Sequence, residues 1–422
     1  MIKLKVILII LVCLSGISTS WAQVSLAKIG NGTNEFELVK SGKSTELYYD
    51  VRDFEVVKKV ANLFSDDIRL VTGREIAVSE VGENMSSNCI IVGTLGYNEM
   101  IDKLILKKKL DVSALKNKWE SFHVEVIRNP FPGVKKALVI VGSDRRGTAY
   151  GLFSISEAIG ISPWYWWADA PVNKRKELCL KVQKITSKEP TVKYRGIFIN
   201  DEDWGLLRWA KTNFEKERGN IGPKTYAKVC ELLLRLKANY LCPAMHEAST
   251  AFNKIPENKL VADSFAIVMG SVHCEPLLFN NASEWDKKTM GEWDYVNNKE
   301  TLDRVLKQRV LDNSPYENVY TLALRGLHDK AMGGSSNMKE RVKLLSDALN
   351  AQRQILIDVI KKPANEIPQA FTPYKEVLDV YNAGLELPDD VTIIWPDDNY
   401  GYMKRLSSPR EQERSGLSLI HI

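Results

Sequence analysis

Val192-Lys193-Tyr194-Arg195-Gly196-Ile197-Phe198-Ile199-Asn200-Asp201-Glu202-Asp203-Trp204 is an apolar run that breaks off into three carboxylates and an aromatic ring. Its first eight residues, Val192–Ile199, have the composition of a short buried strand. The segment from Asn200 onward is too polar to continue it. The same beat recurs downstream. Tyr240-Leu241-Cys242-Pro243 gives way to Met245-His246-Glu247, and Phe265–Met269 leads into Gly270-Ser271-Val272-His273-Cys274-Glu275. Val319–Leu324 ends in Arg325-Gly326-Leu327-His328-Asp329, and Ile367–Thr372 in Tyr374-Lys375-Glu376. Val391–Trp395 ends in Pro396-Asp397-Asp398-Asn399-Tyr400-Gly401. Between these runs lie segments with helical character: Pro223–Leu236, with Pro at its start, Lys299–Leu311 and Met338–Ile360.

Six strand–helix beats of this kind predict a (β/α)8 TIM-type barrel, truncated after about six strands, over residues 189–415. An N-terminal α/β domain precedes it over 23–188. There, Val51–Leu70 carries Phe54, Val57, Val60, Ala61 and Phe64 on one helical face and stops at Gly73. Cys89–Gly93, Phe122–Ile127 and Ala137–Gly142 read as strands, and a helix runs from Arg146 to Ala158. Pro163-Trp164-Tyr165-Trp166-Trp167-Ala168-Asp169 reads as domain-junction packing or, alternatively, as a sugar-stacking surface. Residues 416–422 break the natural texture of the chain and are expected to be an artefactual tail.

Composition narrows the partners. A net charge of +5 over 422 residues, with Lys and Arg scattered among acids, predicts no nucleic-acid partner. Lys3 and Lys5, the apolar run Val6–Leu14 and the small residues before Ala22 predict a cleaved export leader over 1–22. The protein is therefore expected to be periplasmic or secreted, with no membrane span after cleavage. Five cysteines remain after the leader (Cys89, Cys179, Cys230, Cys242 and Cys274), widely spaced and without a CxxC, so no disulfide framework is implied.

In such a barrel the chemistry sits at the C-terminal ends of the strands. Three of the five histidines, His246, His273 and His328, fall at these ends together with several carboxylates. Converging carboxylates suit hydrolysis of a glycosidic bond, where one protonates the leaving oxygen and another activates water or attacks the sugar. Arg325 and the histidines suit an anionic group on the substrate. Structural roles compete: Asp201-Glu202-Asp203 as an acidic turn or helix cap, Asp397-Asp398 as a cap, Arg325 as an ion pair at the barrel mouth, and His246 and His273 as core histidines. No HExxH, GxSxG, P-loop or GxGxxG occurs, so no metal and no cofactor are expected.

Taken in order, five segments resemble glycoside hydrolase family 115, the α-glucuronidases of xylan-degrading bacteria. They are Gly142–Gly151, Gly196–Asp203, His273-Cys274-Glu275-Pro276, Arg325–Asp329 and Trp395–Gly401. The resemblance covers nearly all of the chain between the leader and Ser415. It implies removal of glucuronic acid or its 4-O-methyl ether from glucuronoxylan, with inversion, by a full-length homodimer. It also implies Glu376 as a catalytic carboxylate, most simply the general acid, with Asp201 meeting the sugar or the attacking water and Asp398 a second candidate for the base. Glu202, His273, Arg325, Tyr374 and Asn399 would bind the substrate. Another exo-glycosidase such as a hexosaminidase, or a non-catalytic exported glycan-binding protein, remains the alternative.

Overall fold

The computed structural model describes residues 27–30, 35–82, 85–200, 202–334, 337–398, 400–415 and 418–420. The expected leader, Asp201 and Asn399 lie outside the described residues. The chain divides between Thr191 and Val192 into two compact units.

Among its described residues the first unit holds ten strands: β1 (Ala27–Ile29), β2 (Phe36–Lys40), β3 (Lys43–Ser44), β4 (Glu46–Tyr49), β5 (Val78–Glu80), β6 (Asn88–Thr94), β7 (Phe122–Arg128), β8 (Lys136–Gly142), β9 (Leu178–Val182) and β10 (Ile185–Thr186). Six form a mixed sheet in the order β10-β7-β8-β6-β4-β5, in which β8, β6, β4 and β5 run parallel. Its central strands carry unbroken apolar runs, Cys89–Val92 and Ala137–Val141, all buried, as strands covered on both faces require. The other four form an antiparallel sheet, β1-β9-β2-β3, which pairs Ala27 with Val182 and is invisible to local sequence patterns.

Helix α1 (Glu55–Thr72) turns Val56, Val57, Val60, Ala61, Phe64, Ile68 and Val71 inward. It ends at Gly73, whose φ of +74° needs no Cβ to be accommodated and whose N–H closes on the Arg69 carbonyl. After α2 (Glu99–Leu106), α3 (Arg145–Ala158) opens on Asp144, whose side chain accepts the N–H groups of Arg146 and Gly147.

The second unit is a run of parallel strands in sequence order: β11 (Gly196–Phe198), β12 (Tyr240–Cys242), β13 (Val268–Met269), β14 (Tyr320–Thr321), β15 (Gln369–Phe371), β16 (Thr392–Trp395) and β17 (Ser418–Ile420). A single parallel bridge, Met269 to Asn318, joins the first three to the last four. Helices α4 (Pro223–Arg235), α5 (Pro256–Ser264), α6 (Lys299–Asn313), α7 (Met338–Ile360) and α8 (Glu376–Asn382) fill the first five intervals. Among the described residues this unit has seven strands, where six are expected. Ser418-Leu419-Ile420, expected to lie in an artefactual tail, pairs in parallel register with Ile393-Ile394-Trp395. The strands are shorter than their apolar runs: Gly196–Phe198 pairs within Val192–Ile199, and Tyr320–Thr321 within Val319–Leu324. Gly196 permits the close approach of β11 and β12, since a Cβ there would sit 1.8 Å from the Tyr240 carbonyl oxygen. The main core lies under α6 and α7, where Leu306, Val310, Leu345, Leu349 and Leu356 meet Leu322, Phe371, Ile393 and Trp395. Among the described residues, no helix is long and apolar enough to cross a membrane.

Candidate active site

The segments leaving the C-terminal ends of β11 to β16 surround a cavity of about 1450 Å³. Its lining includes Asn200, Asp203 and Trp204 after β11, His246 after β12 and His273 after β13. His328 and Asp329 follow β14, Tyr374 and Lys375 follow β15, and Asp397 and Asp398 follow β16. A smaller neighbouring hollow of about 420 Å³ shares Tyr374, Lys375 and Asp397 with it and adds Tyr400 and Lys404.

On one side stands a cluster of two cations, Arg325 and Lys375, and two carboxylates, Asp329 and Glu376. Arg325 grips Glu376 with two parallel bonds, Nε to Oε1 at 3.0 Å and Nη2 to Oε2 at 2.7 Å, and pairs its remaining nitrogen with Asp329. Asp329 is also bonded to His273 Nε2 at 2.7 Å and accepts from Lys375 Nζ at 3.1 Å. The Met332 N–H gives Glu376 a further donor at 3.0 Å. Burial alone would push the Glu376 carboxyl upward, but the Arg325 bonds and charge and the Met332 N–H outweigh it and hold the group below the ordinary carboxylate range. Burial, reinforced by Arg325 and Lys375, drives His273 down to about 3, so it is neutral at pH 7. Its ring lies 4.4 Å from that of Tyr374, over which Lys375 Nζ sits at 5.0 Å. The backbone is strained to build this cluster. His328, Asp329 and Lys375 have φ of 54°, 63° and 50°, a region that side chains with a Cβ rarely adopt.

On the other side Glu202 and Glu275 have no Lys or Arg partner among the described residues. Glu202 is buried. Its Oε1 accepts the His246 N–H at 2.7 Å, and its Oε2 has no partner among the described residues. The carbonyl of the same peptide group, that of Met245, accepts Asn280 Nδ2 at 2.9 Å. Asn280 Nδ2 also donates to Glu275 Oε1 at 2.8 Å. Burial pushes Glu275 up to about 8, and it is protonated at neutral pH. The Met245–His246 peptide is thus clamped at both ends, while His246 Nδ1 lies 3.0 Å from Asp203 Oδ1.

The expected site residues differ in exposure and in the partners that hold them. Arg325, expected to contact an anionic substrate group, is 2% exposed, with its guanidinium engaged by Glu376 and Asp329. It organises the site from beneath, as the alternative ion pair. Glu376, expected most simply to be the general acid, has three N–H donors that stabilise its charged form. Glu202, expected to bind substrate, faces the protein interior. Asp398 lines the cavity, but its Oδ1 accepts the N–H groups of Tyr400 at 2.9 Å and Tyr402 at 3.0 Å and so builds a turn. His273 and Tyr374 do line the cavity. Asp201 and Asn399 lie outside the described residues.

Asp329, Lys375, Asn280 and Glu275 are not singled out as site residues by sequence reasoning. Asp329, Lys375 and Glu275 stand in strand-end segments of the expected barrel, whereas Asn280 carries no local signal. His273, Cys274 and Asp329 bring three donor atoms within 4.8 Å of one another. They fit a cation poorly, because Arg325 and Lys375 already neutralise Asp329 and burial keeps the Cys274 thiol protonated.

Residues 187–420 match the model of glycosyl hydrolase family 115. Among solved structures, a GH115 4-O-methyl-α-glucuronidase "with specificity for decorated arabinogalactans" is 38% identical, with a TM-score of 0.80 over 92% of this chain and 49% of its own. The Flavobacterium johnsoniae chitobiase shares the fold alone, at 10% identity and a TM-score of 0.50 over 92% of this chain and 55% of its own. The Streptomyces plicatus β-hexosaminidase likewise shares only the fold, at 11% identity and a TM-score of 0.52 over 94% of this chain and 72% of its own. No curated protein sequence matches. The chain spans about half the length of the first two solved relatives. Half of the chain or more lies within the matched residues, and the chain belongs to glycosyl hydrolase family 115.

Proposed function

We propose that this chain carries the catalytic region of a glycoside hydrolase that removes glucuronic acid or 4-O-methylglucuronic acid side chains from glucuronoxylan, with inversion. The parallel strands β11 to β17, each beside the next in sequence, support a (β/α)8 TIM-type barrel for this region. The observation that carries the reading is the cluster joining Lys375, Asp329, His273, Arg325 and Glu376 at the strand ends of a family 115 chain. Lys375 reaches the cavity as an ammonium for the uronate carboxylate, and neutral His273 and the Tyr374 ring stand beside it.

Inversion needs one ionised carboxylate to deprotonate a water on the face opposite the leaving oxygen, and one protonated group on the other side. Glu376 is ionised and fits the first role better than the second. Asp201 is proposed to meet the sugar or the attacking water. Export to the periplasm or beyond is part of the same proposal, as is homodimerisation of the full-length protein.

Glu376→Gln in the protein that carries this chain should lower uronate release by a factor of about 10²–10⁴ while the far-ultraviolet circular dichroism is retained. Normal turnover in a folded variant would remove Glu376 from the chemistry. The 38% identical structure favours a second polymer. Uronate release from decorated arabinogalactan, measured beside release from glucuronoxylan, decides between the two.

A further inference from the structure

Three of the most exposed large apolar side chains in the second unit belong to segments at the mouth of the cavity. Trp204 is 78% exposed, Tyr400 84% and Tyr402 70%. Exposing rings to this degree gains nothing for folding, and rings gathered at one cavity rim offer their faces to a ligand. Trp204 lines the large cavity next to Asp203, while Tyr400 lines the smaller hollow that shares Tyr374, Lys375, Asp397 and Asp398 with it. The two tyrosines are held out by a built turn. The Asp398 carboxylate accepts both of their N–H groups, the Asp398 N–H returns to the Tyr402 carbonyl at 3.0 Å, and Gly401 takes a φ of +77°.

The charges divide by depth. Arg325, Asp329, Glu376 and His273 are buried or half-buried below, and aromatic rings stand at the rim. Lys375, lining the cavity as a cation for an anionic group, under a rim that offers ring faces matches a ligand with two chemistries: a charged sugar joined to neutral pyranoses. Pyranose rings present C–H faces that pack on aromatic rings, and their hydroxyls stay in water.

We infer that Trp204, Tyr400 and Tyr402 form a stacking platform for the neutral polysaccharide backbone to which the uronate is attached, and so set which polymers are accepted. This rests on the uronate-releasing function proposed above. In it the platform binds the part of the substrate that remains after cleavage and takes no part in the bond-breaking step.

The test compares kcat/KM for uronate release from a decorated polymer and from a small uronosyl disaccharide, in the wild type, Trp204→Ala and the double variant Tyr400→Ala/Tyr402→Ala. Because these side chains are exposed, the variants should fold normally. Trp204→Ala is expected to lose about tenfold on the polymer, chiefly through KM, and less than about twofold on the disaccharide. The double variant should show the same split. Equal effects on both substrates, or none on the polymer, overturn the platform while leaving the uronate reading intact. If the wild type releases uronate from neither substrate, the function and the platform resting on it both fall.

Discussion

Glu275 beyond β13 and Glu376 beyond β15 both stand past the C-terminal end of a parallel strand, yet they are in opposite states of charge. Glu275 has an amide and a backbone N–H for company and holds its proton to about pH 8. Glu376 has a guanidinium and stays ionised. Position at a strand end therefore does not decide what a carboxylate can do. The partner decides it, through the balance between desolvation and charge. The cation-free side serves as scaffold, with Glu202 and Asn280 fixing the Met245–His246 peptide. In the proposed function, the side that holds Arg325 and Lys375 is the one that meets the incoming sugar.

The sharpest way to break this contrast is to remove the cation. Arg325→Ala leaves Glu376 and part of Asp329 buried without their counter-charge, and should cost about 3–5 kcal/mol of unfolding free energy, read from urea midpoints. Arg325→Lys should recover only part of this, because a single ammonium cannot reproduce the two parallel bonds. A loss below about 1 kcal/mol in Arg325→Ala would mean that Arg325 does not organise the cluster.

Much of this architecture is legible in the sequence. Helix α7 has the expected limits, Met338–Ile360, and each expected strand of the second unit contains an observed one. The periodicity of buried residues reports local structure well. It does not report pairing over distance. Arg325 meets Glu376 across 51 positions and His273 meets Asp329 across 56, so the residues are visible as strand-end polar groups while their engagement is not. The same limit hides Asn280, whose function depends on Met245, 35 positions away. It hides the antiparallel sheet of the first unit too, where β1 pairs with β9 across most of that unit. The strand in residues 418–420 escapes because three residues carry too little pattern to be read.

Two titrations sharpen the comparison. Glu275 binds its proton more tightly in the folded chain, about 8, than in the unfolded one, 4.5, so its contribution is fully present below pH 4.5 and lost as the pH rises through about 8. Glu275→Gln keeps a neutral side chain at all pH values. It should be relatively more stable at pH 8 than at pH 5, by on the order of 2–4 kcal/mol in the change of urea midpoint between variant and wild type. An unchanged difference would show the carboxyl to be ionised in the fold. His273 has the opposite dependence. Its folded value of about 3 lies below the ordinary 6.5, so the unfolded chain takes up a proton first and stability falls as the pH drops from 6.5 towards 3. His273→Gln should flatten that slope by about 1–2 kcal/mol between pH 7 and pH 5.

The smallest expected effect separates two carboxylates that sequence reasoning puts in the same role. Asp398 and Glu376 are both candidates for the catalytic pair, but Asp398 is held low chiefly by the Tyr402 N–H, against the opposing effect of desolvation, with the Tyr400 N–H and Lys404 adding to the lowering. An Asn side chain oxygen can accept the same two N–H groups. Asp398→Asn should therefore keep the turn, an unchanged urea midpoint and most of the uronate-releasing activity, with kcat within about threefold of wild type. Asp398→Ala, which removes the acceptor, should weaken turnover on polymer more than on a small uronoside, because it loosens the presentation of Tyr400 and Tyr402. If Asp398→Asn instead loses activity as severely as Glu376→Gln, the carboxylate itself takes part in the reaction, and the turn is the consequence of a catalytic group held in place.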